Sequence, residues 1–277
     1  WGIHLWRSSQ NTIVRNKADH NVRCEGTTYR HGCDSAALLL REQSDSNLVA
    51  DNDLSHSGDG FFLSGQRPQV RPSVGNQVLR NDATGAWHNA FESTFSWGNT
   101  FIDNHADSSA FGFWLGYSTG NVVRGNTIVG SRNSGIAIEH GSDNSLTANV
   151  IIGGRIGIWL FAPGEAGDTR EPSRGYVVAD NVLANLDRGI ILERTTQARL
   201  RGNLFDGVGD GLVVDAVGRG TEVVGNIFLR ARSSYIQAPE LVAGSNYWGA
   251  ADAAATLPKV KGKVTIQPWW PATAAGY

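Results

Sequence analysis

The chain contains no methionine and only two cysteines among its 277 residues. Long apolar runs are also missing, so no segment reads as a transmembrane helix and no membrane insertion is expected. Net charge is −2, with neither a surplus of basic residues nor a run of like charge. That argues against a nucleic-acid partner and against a polyelectrolyte tail. The absence of Met and the scatter of the seven His argue against a copper-handling surface, which would gather such ligands. No dense Asp cluster suits calcium and no Cys/His spacing suits zinc, so neither a metal nor another cofactor is expected.

What is present is a repeat. In Gly135-Ile136-Ala137-Ile138-Glu139-His140, apolar residues alternate with others at the period of two that a strand requires. A turn follows at Gly141 to Asp143, and Asn144 and Asn149 frame a second short strand. The frame recurs, with 22 residues from Asn99 to Asn121 and 23 from Asn121 to Asn144. It stretches where loops are inserted, as in GQRPQVRPSVG and APGEAGDTREPSRG. A period in the low twenties without helical stretches reads as a solenoid of β-rungs and not as a leucine-rich repeat. The corner Asn residues are expected in the left-handed conformation, with side chains hydrogen-bonded up a ladder.

The G-[IF]-x-[IL] and N-x-[IVL]-x-x-N segments, such as Gly135 to Ile138 and Asn144 to Asn149, resemble those of the pectate-lyase-like superfamily, in particular its NosD-like and "carbohydrate-binding and sugar hydrolysis" repeats. The resemblance covers roughly residues 1–249 and implies an all-β fold, a right-handed parallel β-helix of about ten rungs. Residues 250–277 lose the repeat and are expected to cap the last rung, with Pro268, Trp269, Trp270 and Pro271 over its apolar end. The chain opens at Trp1 inside the first rung, without a signal peptide. We expect a mature or trimmed form, because a first rung with nothing before it leaves an open sheet end.

Cys24 and Cys33 bracket the polar insertion CEGTTYRHGC between rungs one and two. A disulfide closing this loop is the preferred reading and implies a secreted or periplasmic protein. The alternative is a pair of reduced thiols that bind metal with His31.

Aligning the rungs on their Gly places Glu92, Trp114 and Trp159 in one outward column. The next holds Arg41, Ser64, Thr94, Gly116, Glu139, Phe161, Glu193 and Asp215. His140 and Arg194 lie just beyond the strand, Asp59 and His88 just before it. Acids, an imidazole, arginines and indoles on one face compose a saccharide groove. Gly116, beside Trp114, leaves room for a ring.

Glu92, Glu139 and Asp59 are the candidate catalytic acids of a glycoside hydrolase, one protonating the leaving oxygen and another activating water. His140, Trp114, Trp159, Arg41, Glu193, Arg194 and His88 are the candidate binding residues for a polysaccharide or oligosaccharide. Competing readings stand beside these. Glu193, Arg194 and Asp215 solvate the face, Arg41 and Glu42 form a surface pair, Trp159 and Phe161 pack under a loop, Asp59 serves an Asp-Gly turn, and His88 is structural. A lyase or uronate epimerase would use Arg41 and Arg194 to neutralise a carboxylate. Yet the strand face offers no Lys, and the Asp-Pro-His motif associated with alginate epimerases is absent. The paired-Asp and Gly-His-Gly motifs of polygalacturonase-like hydrolases are absent too. The third reading is a non-catalytic NosD-like accessory protein or adhesin. The irregular, chemically mixed columns favour one specific site over a repetitive surface. The sequence leaves oligomeric state open.

Overall fold

The computed structural model describes residues 1–23, 35–65, 71–164, 173–215, 218–249 and 253–268. Cys24, Cys33, Trp269 and Trp270, and most of the three inserted loops, lie outside the described residues. The chain winds into a right-handed parallel β-helix. One long sheet takes a strand from each rung. In order they are Ile3–Trp6, Ala36–Arg41, Asp59–Ser64, Asn89–Thr94, Phe111–Gly116, Thr127–Glu139, Val150–Phe161, Val182–Glu193, Asp210–Val214 and Ser234–Val242, here rungs one to ten. Val260–Thr265 then pairs in parallel with Ser234–Val242 and continues the sheet past the repeat. A second sheet of nine short parallel strands, from Thr12–Val14 to Glu222–Val224, forms another wall.

The alternation seen in sequence becomes stacked columns. Leu38, Phe61, Phe91, Phe113, Ile136, Ile158, Ile190, Leu212 and Ile236 are successive register partners facing inward. All nine are fully buried. Ile13, Val49, Val78, Phe101, Val123, Leu146, Val178, Leu200 and Val223 do the same from the short sheet. The core is therefore a continuous apolar column in which each rung packs on its neighbours, as solenoids require.

Two ladders of asparagine, buried from the second rung onward, hold the corners. One runs Asn11, Asn47, Asn76, Asn99, Asn121, Asn144. The other runs through Asn16, Asn52, Asn81, Asn104, Asn126, Asn149, Asn181, Asn203, Asn226 and Asn246. Each Oδ1 also accepts the backbone N–H of the preceding Asn in the ladder, as Asn104 does from Asn81 at 2.9 Å. These side chains therefore satisfy turn amides that would otherwise be buried without partners.

The left-handed expectation needs correction. The residue before each ladder Asn takes positive φ, for example Arg15, Asp51, Arg80 and Asp103 at 52 to 57°, and Gly125 at 66°. The Asn itself stays outside that region because its side chain must point inward to its neighbour. The Arg41–Glu42 pair forms, but it is not a surface pair. Glu42 is buried, with Arg7, Arg41 and Arg71 at 2.9, 3.3 and 3.5 Å from its carboxylate.

Asn104→Ala tests the ladder. Its side chain accepts from Asn81 N and Nδ2 and donates to Val78 O and Asn126 Oδ1. An unpaired buried group costs about 1–3 kcal/mol. We expect Asn104→Ala to lose about 3 kcal/mol, read as a lower urea midpoint. The exposed Arg199→Ala should stay within about 0.5 kcal/mol. An Asn104→Ala midpoint equal to wild type would mean the ladder does not hold the corner.

Candidate functional site

The outer face of the long sheet carries three columns. Phe62, Glu92, Trp114, Ala137, Trp159 and Ile191 are successive partners in one. Arg41, Ser64, Thr94, Gly116, Glu139, Phe161 and Glu193 form the second. Asn89, Phe111, Ser134, Ile156, Arg188 and Asp210 form a third at the entry to the strands.

Asp59, His88 and Glu92 come together at the low end of this face. Asp59 Oδ1 accepts the backbone N–H of Asn89 at 2.9 Å and lies 3.3 Å from His88 Nδ1. Asn89 Nδ2 stands 3.1 Å from the same Nδ1 and 2.5 Å from Glu92 Oε2. The Asp59 side chain is 2% exposed and the His88 side chain 28%. Asp59 is thus placed to hold His88 and the strand entry. This is more than the Asp-Gly turn role that sequence alone suggests.

From His88 an aromatic strip crosses the face. His88 meets Phe111 edge-on at 6.1 Å, Phe111 meets Trp114 at 4.9 Å, Trp114 meets Phe161 at 5.9 Å, and Phe161 stacks on Trp159 at 3.9 Å. Small residues make this possible. Ala137 follows Trp114 in its column and leaves the indole space to reach a ring two rungs on. A Cβ on Gly116 would sit 3.4 Å from Trp114 Nε1. Trp159 Nε1 donates to Glu193 Oε2 at 3.3 Å.

Beside the strip, Phe111, Ser134, Arg155, Ile156, Trp159 and Arg188 help line a cleft of about 330 Å³. Arg155 and Arg188 are exposed, and among the described residues neither makes an ion pair. Sequence reasoning missed both, and Phe111 with them. The signal was there, because the residue before each strand Gly forms the third column, and Arg188 precedes Gly189 as Asp59 precedes Gly60.

The other candidates lie apart. Glu139 Oε1 is 3.5 Å from the Tyr117 hydroxyl, at the turn end of its strand. Phe95, Tyr117 and His140 stack in successive rungs, at 4.9 and 5.0 Å. His140 therefore belongs to a corner stack and not to the aromatic strip. The Arg194 backbone N–H donates to Asp215 Oδ2 at 2.6 Å. Arg41 lies with Trp1, Leu39, Phe62 and Ser64 around a separate cavity of about 300 Å³.

Solved structures of similar fold include the periplasmic alginate epimerase AlgG, at 14% identity and a TM-score of 0.56, covering 95% of this chain and 74% of that one. The Streptococcus pneumoniae surface protein and adhesin PfbA is 12% identical, with a TM-score of 0.57 over 86% of this chain and 77% of that one. The DFA-IIIase from Arthrobacter chlorophenolicus A6 is 14% identical, with a TM-score of 0.54 over 91% of this chain and 64% of that one. At these identities the likeness is one of fold. Among curated proteins none matches the sequence. The family model described as periplasmic copper-binding protein (NosD) matches residues 2–158 and again 69–257, and the chain belongs to that family.

Proposed function

We propose that the chain binds a saccharide along the outer face of the long sheet and acts on it at Glu92. The observation that carries this reading is the aromatic strip, which runs from the Asp59–His88–Glu92 cluster across rungs five to seven. Sugar rings offer flat C–H faces that stack on such rings, while acids and guanidinium groups bind their hydroxyls or charged substituents. The epimerase and DFA-IIIase of similar fold fit the same reading, although they contribute no residues to it.

As a hydrolase, the site would use Glu92 beside Trp114 as proton donor and Glu139 to activate water. The two lie two rungs and two residues apart, roughly 11 Å between backbones. Their side chains turn in opposite directions, Glu92 to Asn89 and Glu139 to Tyr117. The 6.5–9.5 Å of an inverting pair therefore requires Glu139 to leave Tyr117. That 3.5 Å contact is at the limit of a hydrogen bond, so a bound sugar displaces it cheaply.

Arg155 and Arg188 favour a second reading. Two guanidinium groups that make no ion pair among the described residues, beside Trp159, suit a carboxylate-bearing sugar, and proton abstraction by a lyase or epimerase would then replace hydrolysis. These two take over the role that sequence gave to Arg41 and Arg194.

A secreted or periplasmic location goes with this proposal. The family's name supports it, and a Cys24–Cys33 disulfide would require it. No described helix is long and apolar enough to cross a membrane. The family's name also mentions copper. Among the described residues, Asp59, His88 and Glu92 are the cluster whose nitrogen and oxygen atoms could hold a metal.

Polysaccharide panels, neutral and uronate, test the proposal through new reducing ends and the ultraviolet absorbance of unsaturated uronates. Glu92→Gln should lower kcat by roughly 10²–10⁴-fold whichever reaction runs. A comparable loss in Glu139→Gln marks the two-carboxylate hydrolase, and unaltered kcat there rules that pair out. Trp114→Ala should weaken oligosaccharide binding by about tenfold, the loss expected for about 1.4 kcal/mol of stacking. If charge is read at the cleft, Arg155→Ala and Arg188→Ala raise KM for uronates and leave KM for neutral glycans unchanged. Neither binding nor turnover on any glycan would overturn the proposal.

A further inference from the structure

The two ends of the aromatic strip differ in charge. Glu92 stands at the low end. Glu92, Trp114, Ala137 and Trp159 are successive partners in one outward column, so three rungs separate Glu92 from Trp159. At the spacing of paired strands that is about 14 Å. The cleft of about 330 Å³ at the far end is lined by Ser134, Arg155, Trp159 and Arg188, among others, and by neither Glu92 nor Trp114. Arg188 lies one rung further still, as the partner of Ile156.

The acids around the cleft are engaged elsewhere. Glu193 Oε2 accepts from Trp159 Nε1 at 3.3 Å. Asp210, the next-rung partner of Arg188, accepts from Ser234 Oγ at 2.6 Å and lies 3.8 Å from Lys261 Nζ. Asp187, beside Arg188 in sequence, lies 3.6 Å from Arg232. Arg155 and Arg188 are exposed and make no ion pair among the described residues. Ser134, in the same wall, is 1% exposed, and its Oγ has no hydrogen-bond partner. Two guanidinium groups and an unsatisfied hydroxyl therefore line a space floored by an indole. A guanidinium binds a planar oxyanion through paired N–H donors, and such charge-assisted bonds are strong and directional. The column that holds Ile156 and Arg188 lies three residues, about 10 Å, back along the strand from Trp159. A sugar ring on Trp159 with an exocyclic oxyanion, met by the reach of an arginine, spans that gap.

We infer that Arg155 and Arg188, with the Ser134 hydroxyl, bind the carboxylate or sulfate of a sugar unit stacked on Trp159, and that this unit lies about three units along the glycan from the one at Glu92. A pyranose unit in an extended glycan advances about as far as one rung of the sheet, so three rungs hold about three units. The guanidinium groups and Glu92 thus touch different units of one ligand. The charge is read at a distance, and it sets which linkage of the polymer stands at Glu92. This rests on the saccharide reading above and adds to it a minimum length of about four units. A shorter anionic ligand fills the cleft and stops short of Glu92.

The test takes the full chain and three series of oligosaccharides, from dimers to octamers: oligouronates, sulfated galactan fragments and neutral cello-oligosaccharides. Calorimetry reads binding, and product analysis reads turnover. We expect an anionic trimer to bind without turnover, and turnover to begin at about four units. Arg155→Ala and Arg188→Ala should each weaken trimer binding about tenfold or more, the loss expected for a hydrogen bond to a charged group. Both side chains are exposed, so neither variant endangers the fold. Ser134→Ala should weaken the same trimer without lowering the urea midpoint, because it removes an unsatisfied buried hydroxyl. Trp114→Ala should leave trimer binding within about twofold and weaken binding of the hexamer. Binding of the uronate trimer alone assigns a carboxylate, and of the sulfated trimer alone a sulfate ester. Turnover of anionic trimers, equal binding of neutral and anionic trimers, trimer binding that survives both arginine variants, or trimer binding lost in Trp114→Ala would each overturn the inference and leave the saccharide reading standing. No binding in any series at any length would remove that reading, and this inference with it.

Discussion

Everything on the outer face depends on register, and register is fixed by the buried asparagine ladders. A parallel stack of apolar strands can slip, and a slip of one residue sends each inward side chain outward. The ladders oppose this at both ends of the short sheet. Each Asn is bound by side chain to one neighbour and through Oδ1 to that neighbour's backbone N–H, so a displaced rung strands several buried polar groups at once. Phe91 over Phe61 and Ile158 over Ile136 then add apolar contact that only the correct register allows. Residues as distant in sequence as Asp59 and Glu92, or Trp114 and Phe161, become neighbours because of a constraint formed elsewhere on the helix.

Given that register, the groove is made by what the columns leave out. Strand positions on a solvent face commonly carry polar side chains of moderate size. Here Ala137 and Gly116 sit beside Trp114, and the indole lies across the sheet instead of standing off it. The same economy of bulk lets Trp159 lie flat on Phe161. A flat aromatic surface on a solenoid therefore needs small residues at defined register positions as much as it needs the aromatics. The Phe95–Tyr117–His140 stack shows the contrast. Those rings leave the strand at left-handed turn residues and pack on one another at the corner, where they shape an edge.

The fold was legible in the sequence because a solenoid writes its geometry as period. Recurring Gly and Asn gave the rungs, and aligning on Gly put Glu92 with Trp114 and Glu139 with Gly116 in the columns where the structure has them. Three things were not legible. The left-handed residue at the corner is the one before Asn, and that position accepts Arg, Asp, Ala or Gly, so composition hides it. Glu42 reads as an exposed acid next to Arg41, yet arginines from rungs one and three enclose it, and such non-local pairing leaves no local mark. Nor does a column say which way a side chain leans. Glu92 and Glu139 occupy the expected columns, but Asn89 draws one back toward the strand entry and Tyr117 draws the other forward to the turn.

Buried polar atoms are paired along the ladders and less completely elsewhere among the described residues, with Ser93, Ser131, Tyr176, Thr221 and Trp248 each keeping an atom without a partner. Along the ladders even a fully buried amide such as Asn104 finds partners for both its nitrogen and its oxygen. Asn89 is chemically the same residue and equally buried, but it sits outside the ladder and keeps an orphaned Oδ1. Ser134 Oγ, in the wall of the cleft, and His140 Nε2, at the end of the corner stack, are orphaned as well. At Asn89 the amide nitrogen bonds to Glu92 while the oxygen is left unpaired, at a cost in stability. The ladder supplies the rigidity that tolerates this cost, because the strands bearing Asp59 and Glu92 cannot relax toward one another without breaking register on the opposite wall.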